Sequence, residues 1–234
     1  MAPAESGAYE KLRASILAFD LLPGERLSER GLEEGLGASR TPIRAALLRL
    51  ENEGLTARIG RGWQVAPIDL AEVRAIMEFR EAVEVGVVAR AVERADEAEL
   101  RALRELVGPH RESDDRETGL RDGGDFHLAL ARLSRNAFMV DAMAGSLTRL
   151  SRTRWLEVRT PESRALARDE HLAILAAVSG RDAARAAELV TAHCRGTRDR
   201  LLAFLSEERR RLRGRGFSIV ESASPARRLG GLTP

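Results

Sequence analysis

From Tyr9 onward the apolar positions Leu12, Ile16 and Leu17 recur at helical spacing and stop before Pro23-Gly24, a turn signal. This predicts a first helix of about three turns. Ser28 is placed to cap a short second helix with Leu32 and Leu36 four apart, and Gly37 ends it. Ser39 then stands at the N-cap of a third helix, with Pro42 in the first turn, where a missing N–H costs nothing. Ile43, Ala46, Leu47 and Leu50 form its apolar stripe, and Gly54 closes it. After Gly54 the period changes. Leu55, Ala57 and Ile59, then Trp63 and Val65, flank Gly60-Arg61-Gly62 and predict a hairpin. Three helices followed by a hairpin is the order of a winged helix-turn-helix.

From Leu70 to about residue 206 the chain carries consecutive amphipathic patterns and no strand signal, as in a helical bundle. From Glu207 the periodicity gives way to Arg, Gly, Ser and Pro. The expected fold is therefore mainly α. A winged helix-turn-helix spans 8–67, an all-helical domain spans 70–206, and a flexible basic tail spans 207–234.

The 234 residues are 44% hydrophobic and 32% charged, ordinary for a globular protein with a core. An aromatic content of 4% argues against single-stranded nucleic acid, which is bound by stacking bases on aromatic rings. The net charge of +2 makes any basic footprint a matter of local segregation, and Arg40, Arg44 and Arg49 form such a run with no acid among them. Cys194 is alone, so no intrachain disulfide forms. The N-terminus lacks a secretory pattern, and no apolar run reaches about 18 residues. A cytoplasmic protein without a membrane partner is expected.

On the third helix the inward stripe turns Thr41 and Arg44 outward, with Arg40 on one edge. Together with Ser39 they occupy a helix N-terminus, whose unpaired N–H groups favour phosphate. The Arg fork suits G O6 and N7 or a phosphate. The stretch "LLPGERLSERGLEEGLGASRTPIRAALLRLENEGL" resembles the DNA-binding domain of GntR-family transcription regulators. The resemblance implies that Arg30, Arg40 and Arg44 contact an operator and that the Gly60-Arg61-Gly62 turn enters the minor groove. Ala45 stands where many relatives have Glu.

In the helical domain, His127, His171 and His193 fall on three separate predicted helices. Bundle metal sites draw ligands from facing helices in this way, and imidazole suits Zn, Ni, Fe or Cu. The domain is similar to the effector-binding domain of the FadR-like (FCD) subgroup. That resemblance implies a divalent transition metal held by an Asp and these three His, with zinc expected and nickel or manganese as alternatives. The subgroup's Asp position is Gly123 here. Asp122 and Asp125 lie about 140 and 200 degrees from His127 around an ideal helix, so neither ligates from a regular one. An irregular start at Gly123-Gly124 would admit Asp122, the preferred candidate over Asp125; otherwise water completes the site. Arg80 matches an effector-contacting Arg of relatives, and its alternative is an i, i+4 pair with Glu84 on a solvated face. Asn136, Arg149, Arg152 and Arg154 are further polar candidates whose facing is open.

These features point to a homodimeric repressor on a palindromic double-stranded operator, controlled by a small carboxylate effector. A second reading keeps the DNA module with a ligand-free dimerisation scaffold. A third is a three-His metalloenzyme, against which stand the absence of a His-Glu-x-x-His pair and the presence of a DNA module; Glu170 is expected to point away from the site.

Overall fold

Ser28 opens the second helix as its position requires, accepting a hydrogen bond from the Gly31 N–H at 2.9 Å, and a left-handed Gly37 closes it. The computed structural model describes residues 3–107, 116–154, 160–211 and 218–222, with the backbone alone for 3–6 and 116–123. Helix α1 (Pro3–Leu17), α2 (Glu29–Leu36) and α3 (Arg40–Asn52) are followed by the hairpin strands β2 (Thr56–Ile59) and β3 (Gly62–Val65). A short β1 (Arg26–Leu27), for which the sequence carried no signal, adds to β3 and completes an antiparallel sheet ordered β1-β3-β2. The register pairs Ile59 with Gly62, which leaves Gly60-Arg61 as the turn. Leu12, Ile16, Ile43, Leu47, Leu50, Leu55, Trp63 and Val65 are buried between helices and sheet. Each such side chain contributes on the order of 2 kcal/mol.

The helical domain consists of α4 (Leu70–Arg94), α5 (Glu97–Val107), α6 (Arg116–Leu133), α7 (Ala137–Arg154), α8 (Pro161–Ser179) and α9 (Ala183–Arg211). Thr160 and Ser163 form a reciprocal capping box at the head of α8. Helix α4 runs against α9 and also touches α6, α7 and α8, so its buried stripe is the axis of the bundle. That stripe is Val73, Met77, Arg80, Glu84, Val87, Val88 and Ala91. Two ionic residues thus sit inside an otherwise apolar seam.

The basic tail departs from expectation. Helix α9 continues to Arg211, and residues 218–222 return as β5 (Ile219–Val220), pairing in parallel with β4 (Ile68–Asp69). Ile219 is buried in a third apolar cluster with Ile68, Leu70, Val73, Met77, Leu150, Leu201 and Leu205, at the joint between the two parts of the chain. The two-residue strand is too short to raise a periodic signal, and its partner is remote in sequence.

Candidate nucleic-acid interface and metal centre

Ser39, Arg40, Thr41 and Arg44 lie exposed at the head of α3, and Gly60 and Arg61 are exposed at the tip of the hairpin. Ser39 holds the N-cap position but makes no side-chain cap hydrogen bond, so its hydroxyl and the first-turn N–H groups face outward together. A groove of about 460 Å³ between hairpin and helices is lined by Arg26, Ser28, Glu29, Arg44, Arg61 and Gly62, among others. The run 40–49 lacks acids in sequence but meets them in space. Arg44 Nε donates to both oxygens of Glu29 at 2.9 Å, Arg40 Nε to Glu33 at 2.8 Å, and Arg30 Nε to Glu34 at 3.2 Å. Arg49 is withdrawn from this face: its guanidinium lies 3.6 Å over the Tyr9 ring and within 3.5 Å of Glu53.

Three polar candidates on α7 find their places at the joint and in the bundle. Arg149 donates to Glu72 at 2.7 Å and to the Asn52 carbonyl at 3.2 Å. Arg152, buried, donates to the carbonyls of Ala66 and of Gly54, the latter at 3.2 Å. Gly54 has a φ of 75°, where a side chain is strained, and a Cβ there would stand 2.8 Å from Arg149 Nη1 and push that guanidinium aside. Arg154, the last residue of α7, lies against Gly124, where a Cβ would stand 2.8 Å from its Nη1. Asn136 is a helix cap: its side-chain oxygen accepts from the N–H groups of Phe138 and Met139.

His127 (α6), His171 (α8) and His193 (α9) are all buried, and one nitrogen of each lies within 4.8 Å of the others. Phe126 stacks on His171 at 4.2 Å and fixes its plane. His127 Nδ1 donates to Glu84 at 2.9 Å, and His193 Nδ1 donates to Glu170 at 2.7 Å. These carboxylates assign the tautomers and leave both Nε2 atoms as acceptors, 3.3 Å apart, with Arg80 Nη2 2.5 Å from that of His127. His171 Nε2 is buried with no hydrogen-bond partner among the described residues. Burial, reinforced by the Arg80 guanidinium, pushes His127 down to about 3, so it is neutral and able to ligate. Burial and the neighbouring histidines likewise hold His171 well below its ordinary value. Burial opposes the charge on Glu84, but Arg80 and His127 outweigh it and hold the carboxyl well below its usual range. An all-nitrogen donor set of three imidazoles, two of them with carboxylates behind them, fits a divalent transition metal.

Two expectations at this site need correction. Arg80 and Glu84 do pair, at 2.5 Å, but both side chains are 1% exposed and neither faces solvent. Glu170 does not point away; it orients His193 and also meets Arg200. Spacing held a clue for the first, because Arg80 and Glu84 continue the buried stripe of α4. Glu170 gave no comparable signal, since its partner is on another helix. Helix α6 is also regular through Gly123 and Gly124, so the irregular start that would admit Asp122 is not formed. The Asp122 side chain lies outside the described residues. Asp125 is exposed and not part of the histidine group.

Residues 4–65 match the model of the bacterial regulatory proteins of the gntR family, and residues 75–196 match the FCD domain. The chain belongs to the GntR family of regulators, with an FCD domain. It is 30% identical over 189 residues to the Nta operon transcriptional regulator of Aminobacter aminovorans, covering 80% of this chain and 89% of that protein. It is 34% identical over 193 residues to an uncharacterized HTH-type transcriptional regulator in an unstable DNA locus of Streptomyces ambofaciens, covering 82% of each. Among solved structures, E. coli McbR/YncC superposes with a TM-score of 0.71 at 23% identity, over 87% of this chain and 99% of that one. A putative GntR regulator from Rhodococcus sp. RHA1 gives 0.71 at 20% identity, over 86% and 99%, and both likenesses show the fold. This GntR-family chain is therefore a DNA-binding transcriptional regulator and not an enzyme. No helix among the described residues is long and apolar enough to cross a membrane.

Proposed function

We propose that this regulator is a cytoplasmic homodimeric repressor whose grip on a palindromic duplex operator is relieved by a small carboxylate bound in the histidine-lined part of the bundle. The observation that carries the reading is the convergence of three buried histidines, two of them oriented by carboxylates, in a chain whose other domain is a winged helix. Operator contacts are assigned to Arg30, Ser39, Arg40, Thr41, Arg44 and the Gly60-Arg61-Gly62 turn. His127, His171 and His193 would hold a divalent transition metal, zinc first, with nickel or manganese as alternatives. A metal held there supplies a cationic centre for a carboxylate oxygen. Arg80 contributes a guanidinium to the same pocket, since a buried anion needs a paired cation.

Two experiments test this reading. Elemental analysis of untagged protein should give near-stoichiometric metal in the wild type and none in His193→Ala; no metal in either removes the metal from the proposal. On an operator selected from a random duplex library, Arg44→Ala should abolish specific binding in a gel shift, whereas wild-type affinity would remove the readout assignment. The ligand-free scaffold has one observation in its favour, because Arg80, Glu84 and His127 satisfy one another without any ligand. It predicts the metal-free outcome.

A further inference from the structure

The three acids that meet the outward arginines all come from one turn-and-a-half of α2 and all accept from Nε, two of them across to α3. Arg44 gives its Nε to both oxygens of Glu29, and Arg40 gives its Nε to one oxygen of Glu33. Nε lies on the side of the guanidinium, next to the stem. The fork that recognises guanine O6 and N7 is formed by the terminal nitrogens, which these pairings leave in place. The arginine side chains remain 61% and 66% exposed while Glu29 and Glu33 are 25% and 26% exposed. The acids are therefore tucked behind the arginines.

We propose that Glu29 and Glu33 are positioning residues for operator readout, holding Arg44 and Arg40 by Nε with their terminal nitrogens aimed at the base edges. The inference rests on the assignment of Arg44 and Arg40 to operator contact. Two physical effects follow from the geometry. A held arginine loses less rotamer freedom when it meets its base, which strengthens specific binding. A carboxylate beside each arginine also weakens the indiscriminate attraction to phosphate that dominates nonspecific binding. The Arg44 hydrogen bond also keeps Glu29 below its ordinary value. Arg30 and Glu34 differ, since both are largely exposed and neighbours on one helix, and no positioning role is assigned to them.

The test is fluorescence anisotropy of the full chain on the selected operator duplex and on a scrambled duplex of equal length, for wild type, Glu29→Ala, Glu29→Gln, Arg44→Ala and the Glu29→Ala/Arg44→Ala pair. Glu29→Ala should lose about tenfold on the operator while holding or gaining affinity for the scrambled duplex. Glu29→Gln, which keeps one accepting oxygen, should recover part of the loss. In the Arg44→Ala background the Glu29 change should no longer lower operator affinity and should leave the operator-to-scrambled ratio unaltered, an outcome that a general loss of folding would not produce. If Glu29→Ala tightens both duplexes by the same factor, or leaves their ratio unchanged, Glu29 is only a competing acid and the positioning role is overturned. Operator binding by Arg44→Ala at wild-type affinity would overturn the readout assignment, and this inference with it.

Discussion

Arg80 Nη2 lies 2.5 Å from Nε2 of His127, on the lone pair that the ring would offer to a metal. A guanidinium has no lone pair of its own to give, so it stands in that place as a cation. Glu84 binds both residues from behind, at 2.5 Å from Arg80 and 2.9 Å from His127. Arg80 and a metal ion therefore compete for one nitrogen. Arg80→Met should destabilise the metal-free chain by about 3–5 kcal/mol, because it strands a buried carboxylate. It should also enlarge the rise in melting temperature produced by zinc, since the ion then restores the missing positive charge. An equal zinc shift in wild type and variant, measured by scanning calorimetry, would show that the two cations occupy separate places.

Glu170 offers a milder probe of the same centre, being only half-buried. Its bond to His193 Nδ1 fixes which nitrogen faces inward. Glu170→Ala should lower zinc affinity by about 10–100-fold in competition with a chromophoric chelator, with little change in metal-free melting. Unchanged affinity would remove His193 from the ligand set.

Arg152 joins the two parts of the chain through the backbone carbonyls of Ala66 and Gly54. Arg152→Met should cost about 3 kcal/mol, the loss of buried hydrogen bonds from a charged donor with their acceptors left behind. The winged helix should then unfold in a calorimetric transition of its own, ahead of the bundle. A single transition at the wild-type temperature would show that the apolar cluster around Leu150 suffices to hold the joint.

Ile219 is buried in that cluster although it lies beyond the end of α9. Ile219→Ala should cost about 2 kcal/mol in urea unfolding, the lower end of the range for a buried isoleucine. Truncation after Arg211 should cost at least as much. Neither loss would be seen if this segment contributed no packing.

Much of the winged helix was legible in the sequence because its signals are local. Ser28, Gly37, Ser39 and the Gly60-Arg61-Gly62 turn act within a few residues of themselves, and the stripe from Ile43 to Leu50 states its own inward face. The three histidines were legible as positions on three helices, but not the carboxylates behind them. Which way Glu84 and Glu170 point depends on how α4 and α8 are rotated against α6 and α9, a property of packing that no single helix encodes. The same limit hid the acids beside Arg40 and Arg44, which belong to a different helix. Strand β5 was illegible for another reason: two residues have no period, and their burial is set by a partner about 150 residues earlier.

Gly54 stands just before the first strand of the hairpin, and Ala66 just after the second. Arg152 thus clasps the hairpin at both roots, as a ring holds two ends of a cord. Two residues along the same helix, Arg154 rests on Gly124 of α6, three positions from His127. A displacement of the end of α7 would thus reach both roots of the hairpin together, through one side chain.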